Sequence, residues 1–271
     1  MTSYRYPSEH IILALTLFLV FAVIAVTAVA TLCGSVLFVL IMLAISFLLN
    51  RAHHNELIQR ARPVTPQTEL ALDNLVGDCA ARLQSGPVKT FIAPGYTLNA
   101  YTFGLVEPQV VVVYAGVFSI MDADELRFII GHELGHVRLG HTWLNSLVGG
   151  MAGIPSPYLA AVVLYFAFRW WNRACEYSAD RAGLLACGKP EKAASALIKL
   201  AGGSSAIRST QGWQQTLHRI EAEDDHLENN LREMLSTHPM TVRRLDALRR
   251  YAASPEYHCI QDQINHVHGF S

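Results

Sequence analysis

The sequence predicts a mainly α-helical protein with a small antiparallel β-sheet, an α+β domain behind an N-terminal transmembrane helical hairpin. Three observations carry that prediction. Residues 11–49 contain no charged side chain. Apolar residues recur at helical spacing through most of the remaining chain. Three short β-like runs lie together between residues 88 and 114, separated by Pro-Gly and Glu-Pro turns. A length of 271 residues allows one sizeable domain with extras or two small ones. The 51% apolar and 16% charged content is more apolar than an average soluble chain, and the excess is unevenly placed. A net charge of −1, with no basic patch interleaved with aromatics, provides no field that favours nucleic acid. The five cysteines (Cys33, Cys79, Cys175, Cys187 and Cys259) show no C-x-x-C spacing, which argues against a disulfide framework and fits a reducing compartment.

The hairpin comes first. As one helix, the 39 uncharged residues would run about 58 Å, nearly twice the hydrocarbon thickness of a bilayer. A break near Gly34 gives two spans, about 11–31 and 35–49. The apolar region is too long for a cleaved signal peptide and lacks a basic leader. A buried soluble hairpin would need an unusually large apolar cover. Arg51, Arg60 and Arg62, with His53 and His54, follow the second span, against Arg5 alone before the first. A hairpin puts both flanks on one side, and the excess of arginine makes that side cytoplasmic. The chain is therefore expected in the inner (plasma) membrane, with the bilayer as a partner and its larger domain in the cytoplasm. Residues 1–50 form the hairpin, 51–62 a basic juxtamembrane linker, and 63–271 the domain.

Within the domain, Thr65 and Pro66 read as N-cap and first residue of a helix that stops at Gly86-Pro87. The runs at 88–93, 98–103 and 109–114 form the sheet. Asp122 and Glu125 make a capping box for a helix from about Ala123 to about Gly140, on which Leu126, Ile129, Ile130, Leu134 and Val137 form the apolar stripe. Residues 142–168 are again uncharged but are interrupted by Gly149, Gly150, Gly153, Pro155 and Pro157, so neither half can cross a bilayer alone. They read equally as a membrane-dipping insertion, within 142–171, or as a buried helical pair; Trp143, Trp170 and Trp171 favour an interfacial position. A helix rich in small residues begins at Arg173, and another covers 190–201. Residues 204–233 read as a solvated polar face. Thr237-His238-Pro239 starts the last clear helix, to about Ala252, and the tail after Pro255 is uninformative.

The chemistry lies in His132-Glu133-Leu134-Gly135-His136. On a helix the two histidines point the same way, one turn apart. Two neutral imidazoles can hold one Zn²⁺ and leave room for a third protein ligand and a water, and Glu133 on a neighbouring face can take that water's proton. So short a pattern arises by chance, and the capping box and apolar stripe are what place it on a real helix. His141, five residues past His136, falls roughly 140° round the helix and out of the metal's reach, as a polar residue at the helix end. The third ligand therefore comes from elsewhere. Glu176 and Asp180 share one helix face among small residues, which suits one as metal ligand and the other as acceptor behind a ligand imidazole; a pair of solvated acids has the same spacing.

Together these residues resemble the HtpX-like membrane zinc metallopeptidases, the group that includes the CAAX prenyl-protein proteases, over residues 63–252 and the leading hairpin. The resemblance implies a zincin-type metalloprotease domain of the gluzincin kind. Glu176-Tyr177-Ser178-Ala179-Asp180 matches the family's E-(F/Y)-x-A-D, implying Glu176 as third zinc ligand and Asp180 as the acid behind a ligand histidine. Asn99-Ala100-Tyr101 is similar to the family's N-A-(F/Y) edge strand, which holds the substrate backbone. Thr237-His238-Pro239 with Arg244-Leu245 is similar to its T-H-P…R-(I/L) segment, implying His238 and Arg244 as groups that stabilise the oxyanion. Residues 142–168 are shorter than the family's paired spans, so four spans are not implied. The family likeness thus implies an endopeptidase with one Zn²⁺ per chain on His132, His136 and Glu176, and Glu133 as general base. Its substrate would be a membrane-associated polypeptide, in quality control or maturation. The rival is a non-catalytic membrane protein with a structural zinc site, which calls for four protein ligands. A transporter would need ionisable groups inside its spans, and residues 11–49 have none.

Overall fold

The computed structural model describes residues 4–30, 34–104, 107–142, 159–202 and 241–268. In chain order its elements are α1 (Glu9–Ala30), α2 (Gly34–Arg60), β1 (Arg62–Pro63), α3 (Leu70–Leu83), β2 (Val88–Ala93), β3 (Ala100–Phe103), β4 (Gln109–Tyr114), the single turn α4 (Ala115–Phe118), α5 (Ala123–Leu139), α6 (Leu159–Cys187), α7 (Pro190–Gly202), α8 (Thr241–Ala252) and α9 (Pro255–His268). The fold is mainly helical with one small sheet.

That sheet corrects an expectation: it is mixed, not antiparallel. Its order is β1-β2-β4-β3. β2 runs parallel to β4, from Val88 opposite Gln109 to Ala93 opposite Tyr114, whereas β3 and β1 pair antiparallel with β4 and β2. The reason lies in β4. Val111, Val112 and Val113 are all fully buried, on both faces of the sheet, and such a run takes the central position. β4 therefore inserts between β2 and β3, and β3 becomes an edge.

α5 is the middle of the fold. Asp122 accepts from the backbone N–H groups of Asp124 and Glu125, and the Glu125 side chain accepts from the Asp122 N–H, which completes the capping box. Gly140, at φ 76°, ends the helix in a left-handed turn. Phe128, Ile130 and Leu134 are buried in the principal core with Leu83, Leu184, Leu185 and Ile260. α6 packs along α5 at very short range. A Cβ added at Gly135 would stand 2.5 Å from the Ala182 Cβ, and one at Gly131 would stand 2.4 Å from the Ala186 Cβ. Glycine on one helix and small residues on the other let the axes approach.

Some elements run further than the sequence suggested. α6 is continuous from Leu159, so the helix expected at Arg173 begins in the apolar segment; residues 143–158 of the expected insertion lie outside the described residues. α2 runs through the stretch expected as linker, as far as Arg60. The tail after Pro255, for which the sequence predicts no element, is the helix α9: the Tyr257 N–H donates to Ser254 Oγ at its start, and Tyr257, Ile260 and Ile264 are buried. Counted over the described residues, no helix is long and apolar enough to cross a membrane. α1 nevertheless presents Ile11, Phe18, Phe21, Val26 and Val29 at 62–84% exposure, while Ile12 lies buried with Trp171 and Ala174 of α6.

Candidate metal centre

Three side chains converge where α5 faces α6. Nε2 of His132 and Nε2 of His136 are 3.3 Å apart, and each lies 3.6 Å from a carboxylate oxygen of Glu176. A tetrahedral ion with ligands at about 2.0–2.1 Å has ligand–ligand edges of about 3.3–3.4 Å, so the triangle is the right size for zinc. The donor chemistry agrees. Two imidazole nitrogens aimed at each other and at a buried carboxylate are a donor set that suits a cation. Burial works against protonating His136, but the hydrogen bond and charge of Glu176, with the charge of Glu133, outweigh it and raise its pKa.

These side chains are held from behind. His132 Nδ1–H donates to Asp180 Oδ1 at 3.0 Å. Arg244 of α8 closes on both acids: Nε donates to Asp180 Oδ2 at 2.8 Å, Nη2 to Asp180 Oδ1 at 2.6 Å, and Nη1 lies 3.2 Å from Glu176 Oε2. Burial alone would raise the Asp180 carboxyl, but the charge and hydrogen bonds of Arg244, then those of His132, hold it below the ordinary carboxylate range. Burial likewise opposes the charge on Arg244, and Asp180, Glu176 and Glu133 reverse that and raise its pKa. Its donors therefore face carboxylates, which makes it a clamp as well as a cation.

Glu133 points toward the sheet. The Thr102 hydroxyl of edge strand β3 donates to Glu133 Oε2 at 2.6 Å. Asn99, Ala100 and Tyr101 precede it; the Asn99 carbonyl accepts from Tyr114 N–H at 3.0 Å, which extends the β3–β4 ladder. His238 lies outside the described residues.

One reading of the sequence is corrected here. His141 is more than an ordinary polar residue at the helix end: it is 1% exposed, with Nδ1 3.0 Å from His136 Nδ1. The angular count assumed a continuing helix, but α5 stops at Leu139 and the left-handed Gly140 turns the chain back. Burial pushes the His141 imidazole down to about 4. Thr102, Glu9 and Ser178 were also missed. For Thr102, the position three residues along from Asn99, on the strand named as substrate edge, was an available clue.

Comparisons with known proteins place the chain in a family. The model of the family described as "Peptidase family M48" matches residues 66–252. The plastoglobule-localized metallopeptidase 48 of Arabidopsis thaliana is 28% identical over 181 residues, 62% of this chain and 52% of that protein; the chain thus spans about half of that relative. A protease HtpX homolog from Moorella thermoacetica is 27% identical over 275 residues, 86% of this chain and 89% of that protein. Among solved structures, the crystal structure of S. mikatae Ste24p matches with a TM-score of 0.49 and 16% identity, over 87% of this chain and 62% of that one.

Proposed function

This chain belongs to peptidase family M48, a metalloprotease family, and from that premise we propose that it is a membrane-anchored, zinc-dependent endopeptidase. The observation that carries the proposal is the convergence of His132, His136 and Glu176 at 3.3–3.6 Å with the Glu133 carboxylate beside them. These three residues would hold the ion, and Zn²⁺ bound there supplies a Lewis acid and a water acidified to near neutral pH.

The chain's own residues do the rest. Glu133 takes a proton from water and returns it to the leaving amine. The Thr102 hydroxyl occupies Oε2 of Glu133 and leaves its other oxygen for that transfer. Arg244 holds Asp180 and Glu176 in register, and its positive charge also bears on the oxyanion. His238 is the second oxyanion donor; loss of one such group typically costs about 10²–10³ in rate. β3 pairs with β4 on one side only among the described residues, so its outer edge can take an extended peptide as an added strand at Asn99, Ala100 and Tyr101.

The anchor is the hairpin at residues 11–49. Apolar exposure along α1 and α2 supports it, with Phe18, Phe21, Leu37, Leu40, Leu48 and Leu49 all outward. Thr16 on α1 turns its hydroxyl inward to the Ala167 carbonyl at 3.3 Å, as a polar group in hydrocarbon must. The substrate is then a polypeptide at the cytoplasmic face of the plasma membrane, in quality control or maturation.

The test is zinc content and casein cleavage by detergent-solubilised protein beside Glu133→Gln. The variant is expected to keep its zinc and lose cleavage by about 10²–10⁴-fold; equal cleavage by the two proteins ends the assignment.

A further inference from the structure

The two imidazoles of the metal centre are not supported alike. Each turns Nε2 toward Glu176, so each must carry its proton on Nδ1 when Nε2 serves a cation. Behind His132 stands Asp180, clamped by Arg244. Behind His136, among the described residues, stands a second imidazole in place of an acid. His136 Nδ1 and His141 Nδ1 are 3.0 Å apart, and His141 Nε2 is 2.9 Å from Glu9 Oε1. The tautomers are then fixed in series. His136 Nδ1–H donates to the bare Nδ1 of His141, whose proton sits on Nε2 and is donated to the Glu9 carboxylate.

Glu9 comes from the far end of the chain, at the start of α1, and only 1% of it is exposed. Burying a carboxylate is costly unless its charge is met, and here it is. Arg5 pairs with Oε1, and the Ser178 hydroxyl, on the helix that carries Glu176, donates to Oε2. Arg5 also donates to the Leu139 carbonyl at 2.5 Å, at the end of the metal helix. The arm before α1 is tied down in its own right. The Tyr6 N–H donates to Ser178 Oγ at 3.0 Å, and Arg181 donates to the Arg5 carbonyl at 3.2 Å. The Cys175 thiol lies within 4.8 Å of the Glu9 and His141 atoms, but Arg5 already stands against Glu9, which leaves a hydrogen-bonded chain here and not a second metal site.

We propose that Glu9 and His141 are positioning residues for the metal ligand His136, so that the arm of residues 4–9 is part of the metal centre. The proposal rests on the zinc-peptidase reading. Outer groups of this kind typically change metal affinity 10–100-fold. The experiment is zinc affinity by chelator competition on purified full-length protein, with thermal midpoint and circular dichroism alongside. His141→Ala is expected to weaken zinc 10–100-fold. Glu9→Gln, isosteric but uncharged, should weaken it less. His141→Gln, whose amide can accept from His136 and donate to Glu9, should recover part of the loss. Thr16→Val is the control, since it loosens a buried α1–α6 hydrogen bond outside this chain of atoms, and its affinity should match the parent. Should His141→Ala fail to fold, Glu9→Gln carries the test. Affinity within twofold of the parent for both variants overturns the proposal, as does an equal loss in Thr16→Val. A parent that holds no zinc fails at the earlier step and removes the metal-centre reading itself.

Discussion

A hydroxyl on β3 and a guanidinium on α8 hold the carboxylates on which the proposed chemistry turns. Thr102 donates to Glu133 at 2.6 Å and Arg244 grips Asp180 with two nitrogens. A hydrogen bond to a charged group contributes about 1.5–3 kcal/mol, roughly 10–100-fold in rate if all of it acts on the base. Thr102→Val should therefore lower kcat by about tenfold or more, with zinc content unchanged. Thr102→Ser, which keeps the hydroxyl, should recover most of it. Steady-state kinetics on a peptide substrate reads both, and a Val variant as fast as the parent removes Thr102 from the mechanism. At this scale the sequence was informative wherever partners share a helix. His132 with His136, and Glu176 with Asp180, sit four apart, so one period puts each pair on one face. Glu9 and His141 are 132 positions apart, and no periodicity links them.

Between elements, the approach of α5 to α6 decides whether two histidines and an acid meet. Gly131 and Gly135 of α5 face Ala179, Ala182, Gly183 and Ala186 of α6, and the added Cβ at Gly135 would also lie 3.2 Å from the Ala179 Cα. Backbone atoms on the far side cannot yield as a flexible side chain does. Gly135→Val should thus force the helices apart, lose about 1–3 kcal/mol of stability and release zinc. Calorimetry with metal analysis checks both; a variant that keeps full zinc shows that the close packing is not what assembles the ligands. The helix was legible through its capping box, but the parallel pairing of β2 with β4 was not. Strand order depends on which run is buried on both faces, and consecutive short strands suggest neighbours. A second test concerns α2. His54 stacks on Phe103 of β3, ring centroids 3.7 Å apart and planes 15° apart, and burial, with the charge of His53, pushes its pKa to about 4. Its unfolded value is near 6.5, so between about 6.5 and 4 the unfolded chain binds the extra proton. Stability then rises with pH across that window and is lost as pH falls through it. The thermal midpoint should drop between pH 7 and pH 5, and drop less in His54→Phe. An equal drop in both would clear His54.

For the whole molecule the question is whether the proposed anchor is one, and where it would put the site relative to a bilayer. The arm at residues 4–9 is docked on α5 and α6, and α2 ends against the sheet, where Leu57 and Ile58 pack with Phe103 and Val112. Both ends of residues 11–49 are thus fastened to the same domain, which is the arrangement a two-span hairpin requires. If that stretch crosses twice, the domain and both flanks share one face, and the arginines at 51, 60 and 62 make it the cytoplasmic one. Cysteine reports on this directly. Cys79, Cys175 and Cys187 are buried and Cys259 is exposed, so Cys259 is the domain's accessible thiol among the described residues. With Cys33 of the hairpin replaced by serine, a membrane-impermeant maleimide should label the chain in inverted membrane vesicles and leave it unlabelled in intact spheroplasts. Labelling from outside would turn the topology over. A chain washed from membranes by alkaline carbonate would remove the anchor and leave the peptidase reading untouched, because the proposed ligands His132, His136 and Glu176 all come from α5 and α6.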